Sequence, residues 1–258
     1  MPSSDLNDSS EPPTFETPDV RGEPEQPLLW LFDIDGTLLI SGGAGQHAML
    51  QTLSQEFAID EVTGDIPAAG RTDFAITRDL FEQYGIAPSD EVRDRFRSRY
   101  LEHLGAVLPS LPGTLLPGVE PVLQTLDADA RSRMALLTGN YHGAAVAKLQ
   151  TYGIDHYFER CSDESLLGGF GDDHPDRDDV ARAAWEAASG LFEGVVADRT
   201  FVIGDTPSDV QCGKAIGAVT IAVATGLFDE QTLAATDPDV LLRSLDEFDL
   251  GTITAAFA

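Results

Sequence analysis

The chain is expected to fold as an α/β protein: a doubly wound parallel sheet with an α-helical domain inserted near its start. Three observations lead there. Four short apolar runs each end in a polar cluster rich in Gly, Asp or Thr. Segments with helical spacing follow the later runs, and strand–helix alternation of this kind builds parallel sheets. Residues 44–112 break the alternation and read as helices alone.

In chain order, residues 1–26 are rich in Pro, Ser, Asp and Glu and offer little to bury, so they are expected to form a disordered acidic tail. Leu28-Leu29-Trp30-Leu31-Phe32 is a continuous apolar run, as suits a strand buried on both faces. The insert follows, with helices expected over Gln46 to Phe57, Asp73 to Tyr84 and Ser89 to Leu104. It lies between Ser41-Gly42-Gly43 and Leu111-Pro112-Gly113, two hinge-like segments that would let it open and close over the sheet edge. The core then comprises 27–43 and 113–258. Met134 to Leu137 ends in Thr138-Gly139-Asn140, Thr200 to Ile203 in Gly204-Asp205, and Val219 to Val223 in Ala224-Thr225-Gly226. Helices are expected over Gly143 to Tyr152, Asp178 to Ser189 and Asp209 to Ile216, and Trp30 and Trp185 are expected in the core.

Charge bounds the partners. Against 44 acidic residues there are 16 Lys and Arg, a net charge of −28, and the only lysines are Lys148 and Lys214. Nucleic acid and anionic membrane surfaces would both repel such a protein, so neither is an expected partner. No window of about 18 apolar residues offers a membrane span, and no basic stretch followed by an apolar run marks a signal peptide. Cys161 and Cys212 make no disulfide framework, which suits a reducing cytoplasm. Nothing in the sequence speaks to oligomeric state.

The chemistry gathers at strand ends, where parallel sheets bind ligands. Asp33-Ile34-Asp35-Gly36-Thr37 closes the first run with two carboxylates two residues apart. Like charges so close are costly unless a cation or a shared proton relieves them. Gly204-Asp205-Thr206-Pro207-Ser208-Asp209 brings two more acids to the same edge. Hard oxygen donors of this kind suit Mg2+, which takes a few carboxylates and keeps waters or substrate phosphate. Thr138-Gly139-Asn140 sets a hydroxyl and main-chain amides at the start of a helix, a geometry that holds phosphate oxygens.

Taken in order, Asp33-x-Asp35-Gly36-Thr37, Thr138-Gly139-Asn140, a basic residue and Gly204-Asp205-x-x-x-Asp209 resemble the haloacid dehalogenase superfamily. Gly70-Arg71-Thr72-Asp73 is similar to a stretch of its phosphoglycolate-phosphatase-like members. The resemblance implies a Rossmann-like core with a helical cap. It also implies Mg2+-dependent hydrolysis of a small phosphorylated metabolite, phosphoglycolate-like or a sugar phosphate, through an aspartyl-phosphate. It assigns Asp33 as nucleophile and Asp35 as general acid then base, with the Asp35 carbonyl reaching the metal. Asp205 completes the metal ligands with Asp33, and Asp209 is a ligand or its support. Thr138 hydrogen-bonds the phosphoryl group, and Gly36, Thr37, Gly139, Asn140 and Arg71 are the remaining expected substrate contacts.

One element departs from the family pattern, which places a lysine in a Lys-Pro context between the second and last motifs. The stretch here, Phe170 to Arg177, has no lysine. Arg177 is the expected substitute, since a guanidinium clamps phosphate and stays charged; His174 is the runner-up. Lys148, mid-helix, and Lys214 are expected at the surface. A phosphosugar mutase on the same scaffold and a non-catalytic binding module are the competing readings. A dehalogenase would lack Asp35, and a phosphonate hydrolase would need a lysine in the insert, which has none.

Acid-rich, lysine-poor composition also resembles the proteins of salt-accumulating halophiles. Self-repulsion at −28 is long-ranged in dilute buffer and is screened within about 3 Å at 1 M salt. The melting temperature is therefore expected to climb as KCl is raised from millimolar to molar concentration. A melting temperature indifferent to KCl would discard the halophilic reading.

Overall fold

The computed structural model describes residues 26–59, 67–163 and 165–257. The tail read over 1–26 lies, apart from Gln26, outside the described residues.

The core strands are β1 (Leu28–Phe32), β4 (Ser132–Leu137), β5 (Gly168–Gly169), β6 (Thr200–Gly204), β7 (Val219–Val223) and β8 (Val240–Leu242). They form one sheet in the order β5-β4-β1-β6-β7-β8, and every pairing is parallel. Helices α4 (Val119–Ala128), α5 (His142–Thr151), α6 (Arg177–Leu191), α7 (Pro207–Ala215), α8 (Glu230–Ala234) and α9 (Leu250–Ala256) complete the core. Before β4 the chain forms β2 (Leu39–Ile40), then α1 (Ala44–Phe57), α2 (Asp73–Gln83) and α3 (Asp90–Val107), then β3 (Thr114–Leu115).

All five residues of β1 are buried. Side chains alternate across a strand, so Trp30 and Phe32 enter one apolar cluster while Leu29 and Leu31 enter the one on the opposite face. Covering both faces explains why this strand is apolar without interruption. Trp30 stacks on Phe201 with ring centroids 4.2 Å apart, and its indole N–H donates to Ser132 Oγ at 3.0 Å. Register then fixes the site: Phe32 lies beside Leu136 of β4 and Ile203 of β6. The residues that follow all three therefore emerge together at the carboxyl edge of the sheet.

Helices α1, α2 and α3 occupy the stretch read as an insert and build a second apolar cluster, with Leu53, Phe81, Phe96 and Tyr100 among its buried members. Tyr141 and Ala144, beside and within α5, share it, so the helices rest on the core. Where the chain leaves and re-enters the core, β2 and β3 pair antiparallel, Leu39 with Leu115 and Ile40 with Thr114.

Gly70 to Asp73 forms the seam. Thr72 caps α2, its hydroxyl accepting from the Ala75 N–H at 3.1 Å. The Asp73 N–H donates to the Gly139 carbonyl at 2.7 Å and the Phe74 N–H to that of Gly171 at 3.1 Å. The Tyr141 N–H donates to Asp73 Oδ2 at 2.8 Å. A Cβ on Gly139 would stand 2.0 Å from the Arg71 carbonyl oxygen, so only glycine admits this approach.

Asp73 is buried, and that burial pushes its carboxyl up to about 7; Lys148 opposes the rise, while Asp35 and Asp172 add to it. A folded-state value above the unfolded one means that folding favours the protonated form. The resulting stability is present at about pH 4 and is lost as pH rises through about 7. Asp73→Asn, which keeps the acceptor for Tyr141, is expected to match the parent protein near pH 4. It should gain melting temperature relative to it by pH 8. Parallel stability profiles across that range would show that the burial of Asp73 costs nothing.

Candidate active site

Asp33 directly follows β1, and its main-chain N–H donates to the Ile203 carbonyl at 3.0 Å, which holds it against β6. Asp205 directly follows β6. Asp209 sits in the first turn of α7 within a capping box. The Thr206 N–H and hydroxyl donate to its Oδ2 at 3.0 and 2.7 Å, and the Asp209 N–H donates back to the Thr206 hydroxyl at 3.3 Å. Carboxylate oxygens of Asp33, Asp205 and Asp209 all lie within 4.8 Å of one another, and all three residues are buried.

Burial pushes Asp33 up to about 7; Arg177 pulls it back, and the charges of Asp209 and Asp35 add to the rise. Asp205 is pushed to about 8 by burial, with Asp33 and Asp209 adding. Of the three carboxylates, two are met by one cationic side chain, Arg177, and the set of hard oxygens has negative charge left to neutralise. These residues fit an oxygen-coordinated divalent cation. The cradle is shaped for Asp205: Gly36, at φ 86°, would place a Cβ 2.4 Å from its Oδ2. Thr225 braces the same turn by donating to the Gly36 carbonyl at 2.6 Å.

Arg177 opens α6 and is buried. It donates through Nη2 to Asp33 Oδ1 at 3.2 Å and to Asp209 Oδ1. The cation expected from the lysine-free stretch 170–177 therefore lies on the two acids. His174, the runner-up, is half-buried and stands outside the cavity wall.

Lys148 corrects the sequence reading. Expected at the surface, it is only 3% exposed, and its ammonium donates to Asp35 Oδ2 at 2.5 Å and Asn140 Oδ1 at 2.6 Å. The reason is helical geometry: Ala144, Ala145, Lys148 and Leu149 form the buried face of α5, which starts beside the Thr138–Asn140 turn. A lone lysine at i+4 from Ala144, between apolar neighbours, was the signal available. Lys214 is at the surface as expected, bonded to the Thr236 and Asp237 carbonyls at 3.0 and 2.5 Å.

Asn140 ties the second motif to the first. Its Nδ2 donates to Asp35 Oδ2 and to Thr138 Oγ1, both at 2.8 Å, and its N–H also reaches Thr138 Oγ1 at 3.3 Å. Two donors on the Thr138 oxygen occupy its acceptor positions and leave its own proton free to donate. The Asn140 amide is thus turned toward Thr138. Thr37 donates to Asp205 Oδ1 at 3.2 Å, bracing a carboxylate. Arg71 is ion-paired with Asp79 and donates to the Pro67 carbonyl at 3.1 Å.

A cavity of about 380 Å³ opens over this edge beneath the helical insert. Asp33, Asp35, Gly36, Arg71, Asn140, Arg177 and Asp205 line it, whereas Thr37, Thr138, Gly139 and Asp209 lie behind its wall.

Comparison with known proteins agrees with this geometry. A phosphoglycolate phosphatase of Synechococcus elongatus is 27% identical over 229 residues, covering 83% of this chain and 92% of that protein. A probable phosphatase, IndB, of Dickeya dadantii is 27% identical over 231 residues, covering 86% and 91%. The crystal structure of a family IA, variant 3 hydrolase from Entamoeba histolytica superposes with a TM-score of 0.67 at 16% identity, over 90% of this chain and 99% of that one. The family model described as haloacid dehalogenase-like hydrolase matches residues 29–217, and with the acids of the sheet edge and the cavity above them in place, the chain belongs to that family.

Proposed function

We propose that this hydrolase is a magnesium-dependent phosphatase of a small phosphorylated metabolite, with Asp33 as its nucleophile. The observation that carries the reading is the division of labour between Asp33 and Asp35. Asp33 is buried among Asp205, Asp209 and Arg177. Asp35 leaves 43% of its side chain exposed toward the cavity and is gripped through one oxygen only.

A bound Mg2+, held by the carboxylates of Asp33 and Asp205 and the Asp35 carbonyl, would neutralise charge on the nucleophile and the phosphoryl oxygens. Asp209 supports that set: Thr206 and Arg177 already engage its two oxygens. Asp33 attacks phosphorus in line and becomes the aspartyl-phosphate. Arg177 carries positive charge beside the forming bond. Asp35 gives a proton to the departing alkoxide through the oxygen that Lys148 and Asn140 leave unbound, then takes one from the water that hydrolyses the intermediate. Lys148 and Asn140 act as positioning residues, because they touch Asp35 and not the reacting atoms.

The helical insert, 44–112, serves as a cap above the cavity, and the β2–β3 pair marks its attachment. Phosphoglycolate is the substrate named for the Synechococcus elongatus relative; the cavity volume here limits the ester to a small one without singling out that acid. A cytoplasmic setting away from nucleic acid and membrane agrees with the net charge of −28 and with the free thiols Cys161 and Cys212.

Asp33→Asn is expected to lower turnover by roughly three orders of magnitude or more while the melting temperature holds. An active variant would rule out Asp33 as nucleophile. Chelation of divalent ions should stop phosphate release and Mg2+ restore it; release that persists in chelator would remove the metal from the mechanism. Lys148→Met is expected to reduce kcat by about two orders of magnitude and leave KM within a few-fold. Equal losses in kcat and stability with the parental pH profile would make Lys148 a structural residue only.

A further inference from the structure

We propose that the cavity selects phosphate monoesters whose alcohol portion is uncharged and apolar, an inference that rests on the phosphatase reading above. The first argument is the accounting of cations. Three basic side chains reach the cavity wall, Arg71, Lys148 and Arg177. Arg177 is held by Asp33 and Asp209. Lys148 is held by Asp35 and Asn140, and its charge also falls on buried Asp73. Arg71 is ion-paired with Asp79 and bonded to the Pro67 and Ala75 carbonyls. No described cation of the wall is left for a carboxylate or second phosphate on the leaving group.

The second argument is the wall itself. Above the acids, the cavity is faced by Leu39, Ile40, Met49, Ile76, Tyr100 and Leu227. Among the described residues, three large apolar side chains are exposed, and two of them, Ile40 at 44% and Leu227 at 86%, line this cavity. Apolar groups left in water at a cavity mouth gain by contact with an apolar ligand. An anionic leaving group would instead lose its hydration beside Asp73 and find no partner, and unpaired buried charge is heavily penalised.

A volume of about 380 Å³ holds the phosphoryl group and an alcohol of several carbons. The source of selectivity is therefore the helical insert and the 225–227 turn, while the acids at the sheet edge treat every phosphoryl group alike.

The test is competitive inhibition of 4-nitrophenyl phosphate hydrolysis, with Mg2+ in high salt, by three non-hydrolysable phosphonates of similar length. These are butylphosphonate, 3-phosphonopropionate and 3-aminopropylphosphonate, which separate recognition of the organic part from leaving-group reactivity. Butylphosphonate is expected to bind at least about tenfold more tightly than either charged analogue. Equal or tighter binding of 3-phosphonopropionate would overturn the proposal and point to a cation released for the substrate. Equal or tighter binding of 3-aminopropylphosphonate would overturn it in favour of Asp73 as an ammonium site. A protein that is folded but fails to hydrolyse 4-nitrophenyl phosphate would refute the phosphatase reading, and this proposal with it. Hydrolysis with the wrong order of inhibitors would refute the proposal alone.

Discussion

The structure is organised around a concentration of negative charge that it cannot leave unattended. Asp33, Asp205 and Asp209 are buried with oxygens within 4.8 Å of one another. Burial makes the ionised forms of Asp33 and Asp205 costly, and the charge of Asp209 adds to the cost of both. A fold can hold such a cluster only by fixing the backbone rigidly and by supplying positive charge. The parallel sheet does the first. Phe32 and Ile203 are register partners, so Asp33 and the segment leading to Asp205 cannot drift apart without breaking the central ladder. Arg177 does the second, brought to the edge by α6.

The same constraint explains how two aspartates two residues apart come to differ. In a regular strand their side chains would share one face. Here the chain turns after Ile34, with Gly36 at φ 86° and its N–H donating to the Leu39 carbonyl at 2.9 Å. That turn leaves Asp33 under the cavity floor and swings Asp35 toward α5, where Lys148 meets it. Each acid thus acquires its own cation. Arg177 cannot lose its proton under any relevant condition and serves the two buried acids Asp33 and Asp209. Lys148, on a flexible stem, reaches Asp35 from two turns inside a helix.

Much of this was legible from the sequence because it depends on local rules. Uninterrupted apolar runs mark strands covered on both faces, and β1 and β7 coincide with the runs 28–32 and 219–223. The acids were legible because they end such runs. What escaped depends on three-dimensional partners. β5 is two glycines, and β2 and β3 are two residues each, too short for any periodicity to register. Lys148 escaped because a single lysine in a helix is ordinarily solvated, and only the packing of α5 against the sheet turns it inward. Thr37 was legible as a site residue, but its bond to Asp205 depends on a contact 168 residues away in sequence. Conversely, α4 carries Val119, Val122, Leu123 and Leu126 at helical spacing, a local signal that the motif-bearing runs on either side overshadow.

The seam between insert and core bears on how a substrate could enter. The turn that carries Thr138 to Asn140 serves two masters: Asn140 orients Asp35 and Thr138, while the Gly139 carbonyl receives the Asp73 N–H of α2. Any swing of α2 away from the core would pull on the turn that positions the chemistry. It would also break the bonds from Phe74 to Gly171 and from Tyr141 to Asp73. Each such bond contributes only about 1 kcal/mol net, but the buried groups left unpaired would cost more. Ile40 belongs to β2 at the point of attachment and Leu227 to the turn beyond β7, and both stand exposed at the cavity. Neither residue takes part in those seam bonds. Beside the two, an apolar ligand would meet its first favourable surface before reaching the charged floor.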